Sequence, residues 1–291
     1  MSLVIPPAAA EIIFNIGPMP ITNSMVNGWI AVMFFIGIAF FIKNKNNLVP
    51  KGIQNLAEFL VEFFLNEVEK IAGSRKKALQ FFPLVATIFF FILFSNWIGL
   101  LPGTGSIGVW GEMHGKIELI PLLRPAASDV NLTLAIALFS ILTTHFVGLR
   151  SIGVVSHISK FLNIRGIIRS FKKGPVAILV AIVEFGVGLI EIVGEIAKVV
   201  SLSLRLFGNI FAGEVLLTVM LGISSYFLPI PFMFLEILVG IVQATVFAML
   251  TLAYLVVATT SHDHDDEHEE NKKTKNLIKN NPTNKTQNAI A

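Results

Sequence analysis

From Pro175 to residue 260 the chain runs for 86 residues with seven charged side chains: Glu184, Glu191, Glu195, Lys198, Arg205, Glu214 and Glu236. No water-soluble fold can cover so long an apolar segment. In a bilayer the backbone of such a segment must satisfy its own hydrogen bonds, which dictates helices. Shorter uncharged apolar runs lie at about 24–42, 78–102 and 130–149. At 1.5 Å per residue each is long enough to cross a hydrocarbon core of about 30 Å. Composition agrees, since only 14% of residues are charged and 54% are hydrophobic, against about 25% charged in an average globular protein. A soluble enzyme, a disordered scaffold and a nucleic-acid binder are excluded. The expectation is an all-α polytopic membrane protein with one integral membrane domain over 1–260. A turn near Gly222 to Pro231 divides its last apolar region into spans at about 175–221 and 230–260.

Basic residues set the orientation. Segment 43–77 carries seven (Lys43, Lys45, Lys51, Lys70, Arg75, Lys76, Lys77) and 150–173 carries six (Arg150, Lys160, Arg165, Arg169, Lys172, Lys173). Segment 103–129 has only Lys116 and Arg124, and the first 23 residues have none. The positive-inside rule then puts the N-terminus outside and both basic segments in the cytoplasm. The C-terminal tail after Ser261 is also cytoplasmic. No basic residue precedes Lys43, so a secretory signal peptide is not expected. There is no cysteine, hence no disulfide framework and no thiol-bound metal.

Within 53–72, Gln54, Glu58, Glu62, Asn66 and Lys70 recur every fourth residue among apolar neighbours. That spacing predicts an amphipathic helix lying in the cytoplasmic membrane interface; packing against soluble partners is the alternative. The tail at 261–291 includes the run His262, Asp263, His264, Asp265, Asp266, Glu267, His268, Glu269, Glu270. It reads as a solvated, disordered tail rather than a metal site.

A charge at the centre of a membrane helix costs about 2.5–3.5 kcal/mol on insertion scales, so each one invites a functional explanation. Glu184, Glu191, Lys198 and Arg205 lie seven apart, forming one slowly drifting helical stripe. Glu195, three before Lys198, is within ion-pair reach, and Asn209 extends the face of Arg205. Glu214, nine after Arg205, points to the opposite side and so toward a different neighbour. Glu236, Gln243 and Tyr254 form a second stripe, and two facing stripes could line an aqueous route. Residues 175–221 number 47, about 70 Å if helical, over twice a bilayer core. Gly208 and Gly213 could break this arm into two helices; with no proline over 176–228, one tilted helix is favoured. Arg205 cannot shed its proton. It is expected to meet a carboxylate, from this chain or another.

These residues carry a resemblance. Ser201-Leu-Ser-Leu-Arg205-Leu-Phe-Gly-Asn209-Ile-Phe-Ala-Gly-Glu214, followed by Gln243-Ala-Thr-Val-Phe-Ala-Met-Leu-Thr-Leu-Ala-Tyr254, resembles subunit a of bacterial F-type ATP synthases. Asn96-Trp-Ile-Gly-Leu-Leu-Pro102 and Pro125-Ala-Ala-Ser-Asp129-Val-Asn131-Leu-Thr133 support it. The likeness runs from about residue 20 to 260. It implies two long tilted helices against a ring of subunit c, with the subunit b stator stalk and the remaining synthase subunits as further partners, in the bacterial inner membrane. It also implies an ion-translocating role without catalysis by this chain itself, and no cofactor. By the same resemblance Arg205 would be the essential charge facing the ring carboxylate. Glu214, Glu236 and Gln243 would belong to an outer half-channel; Asn209, Ser201 and Glu191 would belong to an inner one. Glu236 stands where relatives often carry His, and the acidic, His-bearing tail lies outside the family pattern. No G-x-x-x-x-G-K-[ST] motif occurs, so any ATP chemistry belongs to other chains. The rival readings are a self-contained secondary transporter, which would usually show a repeated half, and a structural assembly protein whose membrane charges pair internally.

Overall fold

The computed structural model describes residues 6–7, 9–43, 52–101, 104, 107–113, 116–153, 175–224 and 227–259. A strand hairpin comes first: β1 (Ile12–Ile16) pairs antiparallel with β2 (Met19–Thr22). Gly17 takes a positive φ of 61° at its turn, a conformation that glycine adopts without a Cβ penalty. Helices α1 (Asn23–Lys43), α2 (Ile53–Ala72) and α3 (Arg75–Gly99) follow. A second hairpin, β3 (Gly108–Met113) with β4 (Lys116–Pro121), leads through a 3₁₀ turn at Ala126–Ser128 into α4 (Val130–Ile152). Two long helices close the described chain, α5 (Pro175–Ile223) and α6 (Pro229–Thr259).

Helices α1, α3, α4, α5 and α6 are long and apolar enough to cross a membrane, so the chain is a multi-pass membrane protein. The amphipathic α2 is the exception. It lays Phe64, Leu65, Val68 and Ala72 against α3 and α6 and leaves Leu56, Phe59, Leu60 and Phe63 exposed, an apolar surface suited to lipid.

Local chemistry explains where the helices begin and end. Gly73 closes α2 in the left-handed conformation at φ 74°, its N–H donating to the Glu69 carbonyl at 2.9 Å. Ser74 then caps α3 by accepting from the Lys77 N–H, which satisfies one orphan donor of the first turn. Asp129 caps α4 through Oδ1, accepting from the Asn131 N–H at 2.9 Å, while its Oδ2 accepts from the Ser24 hydroxyl at 2.9 Å. One carboxylate thereby ties the start of α1 to the start of α4. Pro229 opens α6 at the first helical position, where its missing N–H costs nothing.

Helix α6 is the hub. Its Ala248, Leu252 and Leu255 pack with Phe64 and Val68 of α2 and Ala78 and Val85 of α3. Its Ala244 and Phe247 pack with Ile88 and Ile92 of α3, Ala137 and Ile141 of α4, and Leu202, Leu206 and Ile210 of α5. Small residues at these contacts let helices approach closely, which is how packing rather than water drives association in a bilayer.

The 49 residues of α5 form one unbroken helix, so no break falls at Gly208 or Gly213. Around Arg205 it buries Leu202, Ser203, Leu206, Ile210 and Gly213 on its packed side. Ser201, Leu204, Arg205, Gly208, Asn209 and Ala212 remain exposed on another side.

The two hairpins were not anticipated by sequence. They interrupt no helix, and an open two-stranded ribbon leaves edge groups unpaired, so they belong outside the hydrocarbon core.

Candidate functional site

Arg205 lies on the uncovered side of α5, where its Nη2 donates to the Ser201 hydroxyl at 3.2 Å. Among the described residues no carboxylate forms an ion pair with it. The alternating pattern of buried Leu202, Leu206 and Ile210 with exposed Ser201, Leu204, Arg205, Gly208 and Asn209 is that of a helix packed on one side only. Ser201, Gly208 and Ala212 keep the surroundings of the guanidinium low. Another helix could therefore come close to this face.

Two clusters of ionisable side chains flank Arg205 along the helix. Glu214, nine residues on, is about 14 Å farther along the axis. Its carboxylate accepts from Arg124 Nε at 2.8 and 3.1 Å. The Arg124 side chain is only 2% exposed. Its Nη2 and Nη1 donate to the Pro7 and Ala9 carbonyls at 2.8 and 3.3 Å, so each guanidinium nitrogen has an acceptor. A buried charge survives only when it is paired and hydrogen-bonded in this way.

Glu236 of α6 belongs to the same end. It is 5% exposed, and Glu214 lies close enough to act on it electrostatically. A Cβ built on Gly213 would overlap the Glu236 carboxyl group. Glycine at 213 is what lets that carboxyl reach between the two arms.

Ten residues before Arg205, about 15 Å in the other direction, Glu195 accepts from Lys198 Nζ at 2.6 Å and lies 3.3 Å from His145 Nε2. The Lys198 nitrogen sits 5.1 Å from the centre of the Tyr254 ring, within cation–π range. Three helices, α4, α5 and α6, each contribute to this group.

Between the clusters, Asn209 Nδ2 donates to Gln243 Oε1 at 2.8 Å. Gln243 is buried and Asn209 is exposed. The bond sets side by side two residues that the family resemblance assigns to opposite paths. Ser201 meets Arg205, Glu214 and Glu236 come together, and Glu191 is exposed on α5 without joining either cluster. The side chain of Glu184 and the run His262 to Glu270 lie outside the described residues.

Sequence reasoning missed two participants. Arg124 counted only as a sparse loop cation, although it sits just before the Pro125 to Thr133 stretch. His145 sits inside the apolar run 130–149, which holds no Asp, Glu, Lys or Arg. An ionisable ring inside a span was the available signal.

A family profile described as ATP synthase A chain matches residues 25–256. The chain is 34% identical over 252 residues to ATP synthase subunit a of Moorella thermoacetica, covering 87% of this chain and 96% of that protein. It is 36% identical over 238 residues to ATP synthase subunit a of Mycobacterium ulcerans, covering 80% and 85%. With ATP synthase subunit a of Gloeobacter violaceus it shares 30% identity over 256 residues, covering 88% and 90%.

Proposed function

The chain belongs to the ATP synthase A chain family, whose members serve ion translocation in the membrane sector of the complex, and we propose that it is the stator against which a carboxylate-bearing ring of subunit c turns. In this reading it supplies two offset proton half-channels, one on each side of Arg205, with its N-terminus outside and its C-terminus cytoplasmic. The ring, the subunit b stalk and the soluble ATPase subunits are its partners. The observation that carries the reading is Arg205 itself, exposed on α5 and without an ion pair among the described residues.

The mechanism follows from charge in a bilayer. A protonated ring carboxyl can face lipid, whereas a bare carboxylate cannot. A proton entering from outside along Glu214, Glu236 and Gln243 neutralises that carboxylate, and the ring turns away loaded. After nearly a full turn the carboxyl reaches the inner path past Asn209, Ser201 and Glu191. Arg205 stabilises the charged form that remains when the proton leaves, and its fixed positive charge blocks a direct leak between the two paths. The attraction is about 4 kcal/mol at 4 Å with an effective dielectric near 20. The driving term is about 2.3 kcal/mol per charge per 100 mV. These are comparable, as a contact that must grip and then release requires.

The test uses the natural absence of cysteine. Leu204→Cys, on the exposed face beside Arg205, should form a disulfide with a cysteine placed near the ring carboxylate. ATP-driven pumping should stop and return on reduction. Leu202→Cys, 2% exposed, should not cross-link. A complex in which Leu204→Cys never reaches the ring would overturn the proposal.

Gly213→Ala gives a separate check of the outer path. The added methyl would occupy the space of the Glu236 carboxyl and drive it from between the arms. Pumping by inverted vesicles should fall by at least about tenfold, since a well-placed proton-transfer group contributes about a hundredfold or more and displacement removes part or all of that. Normal pumping would mean that Glu236 has no part in the path.

A further inference from the structure

Among the described residues, His145, Glu195 and Lys198 form an ionisable group between the membrane helices that the two proton paths do not use. His145 projects from α4 to within 3.3 Å of Glu195 on α5, through Nε2. Glu195 already holds a cation, because Lys198 Nζ donates to its other oxygen at 2.6 Å. A structural ion pair needs one cation per carboxylate. A second group that can become cationic on the same carboxylate is surplus to stability and suited to carrying a proton temporarily. The side chains of Glu195, His145 and Lys198 are 20%, 26% and 34% exposed, so the group is screened but not sealed. Imidazole is also the one side chain whose ordinary pKa, about 6.5, lies within the working pH of a cell.

We propose that the His145–Glu195 pair is a proton-transfer station of the inner half-channel, accepting protons released near Arg205 and passing them to the inner aqueous phase. The inference rests on the stator reading of α5, which sets Glu195 on the inner side of Arg205. The step balances simply. A proton from the Arg205 side adds to the lone-pair nitrogen of the neutral imidazole, giving an imidazolium held by the Glu195 carboxylate. A proton then leaves an imidazole nitrogen for water on the inner side, restoring the neutral ring. One N–H bond forms and one breaks, and one proton moves. Glu195 attracts the incoming charge while Lys198, on the same carboxylate, opposes it.

Among the described residues, these other charged and titratable groups lie around the pair or next to it on the same helices. Lys198 faces it from α5 and Tyr254, beneath Lys198, from α6. Glu191 lies one turn before Glu195 on an exposed part of α5, and Arg150 is five residues beyond His145 on α4, also exposed. The pH-dependent signal assigned to the pair is therefore the part of the flux profile that disappears when His145 is replaced.

The experiment uses membranes containing the whole complex, stripped of the soluble ATPase subunits, with passive proton flux driven by a potassium diffusion potential. His145→Gln keeps size and hydrogen bonding but cannot take up a proton. Flux should drop at least about tenfold, and the step in its dependence on inner pH should vanish. His145→Ala should be slow too, and added imidazole should restore both its rate and the step. Wild-type flux with an unchanged pH profile in His145→Gln would overturn the proposal. So would a loss that imidazole does not repair while the profile keeps its shape, because that is how a purely structural residue behaves. Co-purification of the ring and the Leu204→Cys cross-link are read in the same membranes. If those succeed while the His145 variants behave as wild type, the relay fails and the stator reading stands.

Discussion

Arg205→Ala is expected to abolish ATP-driven proton pumping in membrane vesicles while the complex still assembles. The two halves of that result have different causes. Arg205 is exposed on α5, and its one described side-chain bond is to Ser201 at 3.2 Å. Removing it leaves no orphaned carboxylate among the described residues, so its effect on folding should stay within about 0.5 kcal/mol, as for other surface positions. The functional loss is much larger. An electrostatic contact of about 4 kcal/mol corresponds to about a thousandfold in rate. The leak barrier between the half-channels would disappear as well. Arg205→Lys should retain the barrier but grip less well, because an ammonium lacks the planar fork that matches a carboxylate. Dye-quenching assays of pumping, with subunit content measured by co-purification, check both halves. Undiminished pumping in Arg205→Ala would sink the mechanism.

Arg124→Ala should do the reverse, harming the fold as well as the flow. Arg124 is buried, pairs with Glu214 at 2.8 Å, and anchors Pro7 and Ala9 through their carbonyls. Removing one partner of a buried pair costs about 3–5 kcal/mol, since the other charge is left uncompensated. The thermal transition of the purified complex should therefore move down, and residues 6–10 should become sensitive to protease. Removing both partners in Arg124→Ala/Glu214→Ala should recover much of the lost stability. It should not recover outer-path flux, because the proton-carrying carboxylate is gone. A double variant no more stable than Arg124→Ala would mean that the pair does not hold this end of the molecule together.

These two arginines also mark how far a sequence can be read. Arg205 was legible because its meaning is local. It stands in the middle of an apolar arm, far from either end, with Lys198 and Glu214 as its nearest charges in the chain. Arg124 was not, because its partner is 90 residues away. Helix periodicity showed that Glu214 faces away from Arg205, yet it could not say toward what. His145 and Glu195 present the same difficulty across α4 and α5, and Asn209 and Gln243 across α5 and α6. The Glu195–Lys198 pair needed only a spacing of three on one helix, and it is present at 2.6 Å.

By itself, the sequence determined that the chain is a helical multi-pass membrane protein. It determined the apolar runs, the amphipathic α2 and the family motif around Arg205. Hydropathy, helical period and motif are properties of neighbouring residues, and the bilayer forces an apolar run to become a helix whatever the rest of the chain does. Only the tertiary structure decided which face of α5 is buried against α4 and α6 and which is left open with Arg205. It alone brought Arg124 to Glu214, His145 to Glu195, and the Glu236 carboxyl into the space that Gly213 leaves. Those pairings depend on how close separate helices come and at what rotation. Side chains across the interfaces set both, and no single segment contains that information.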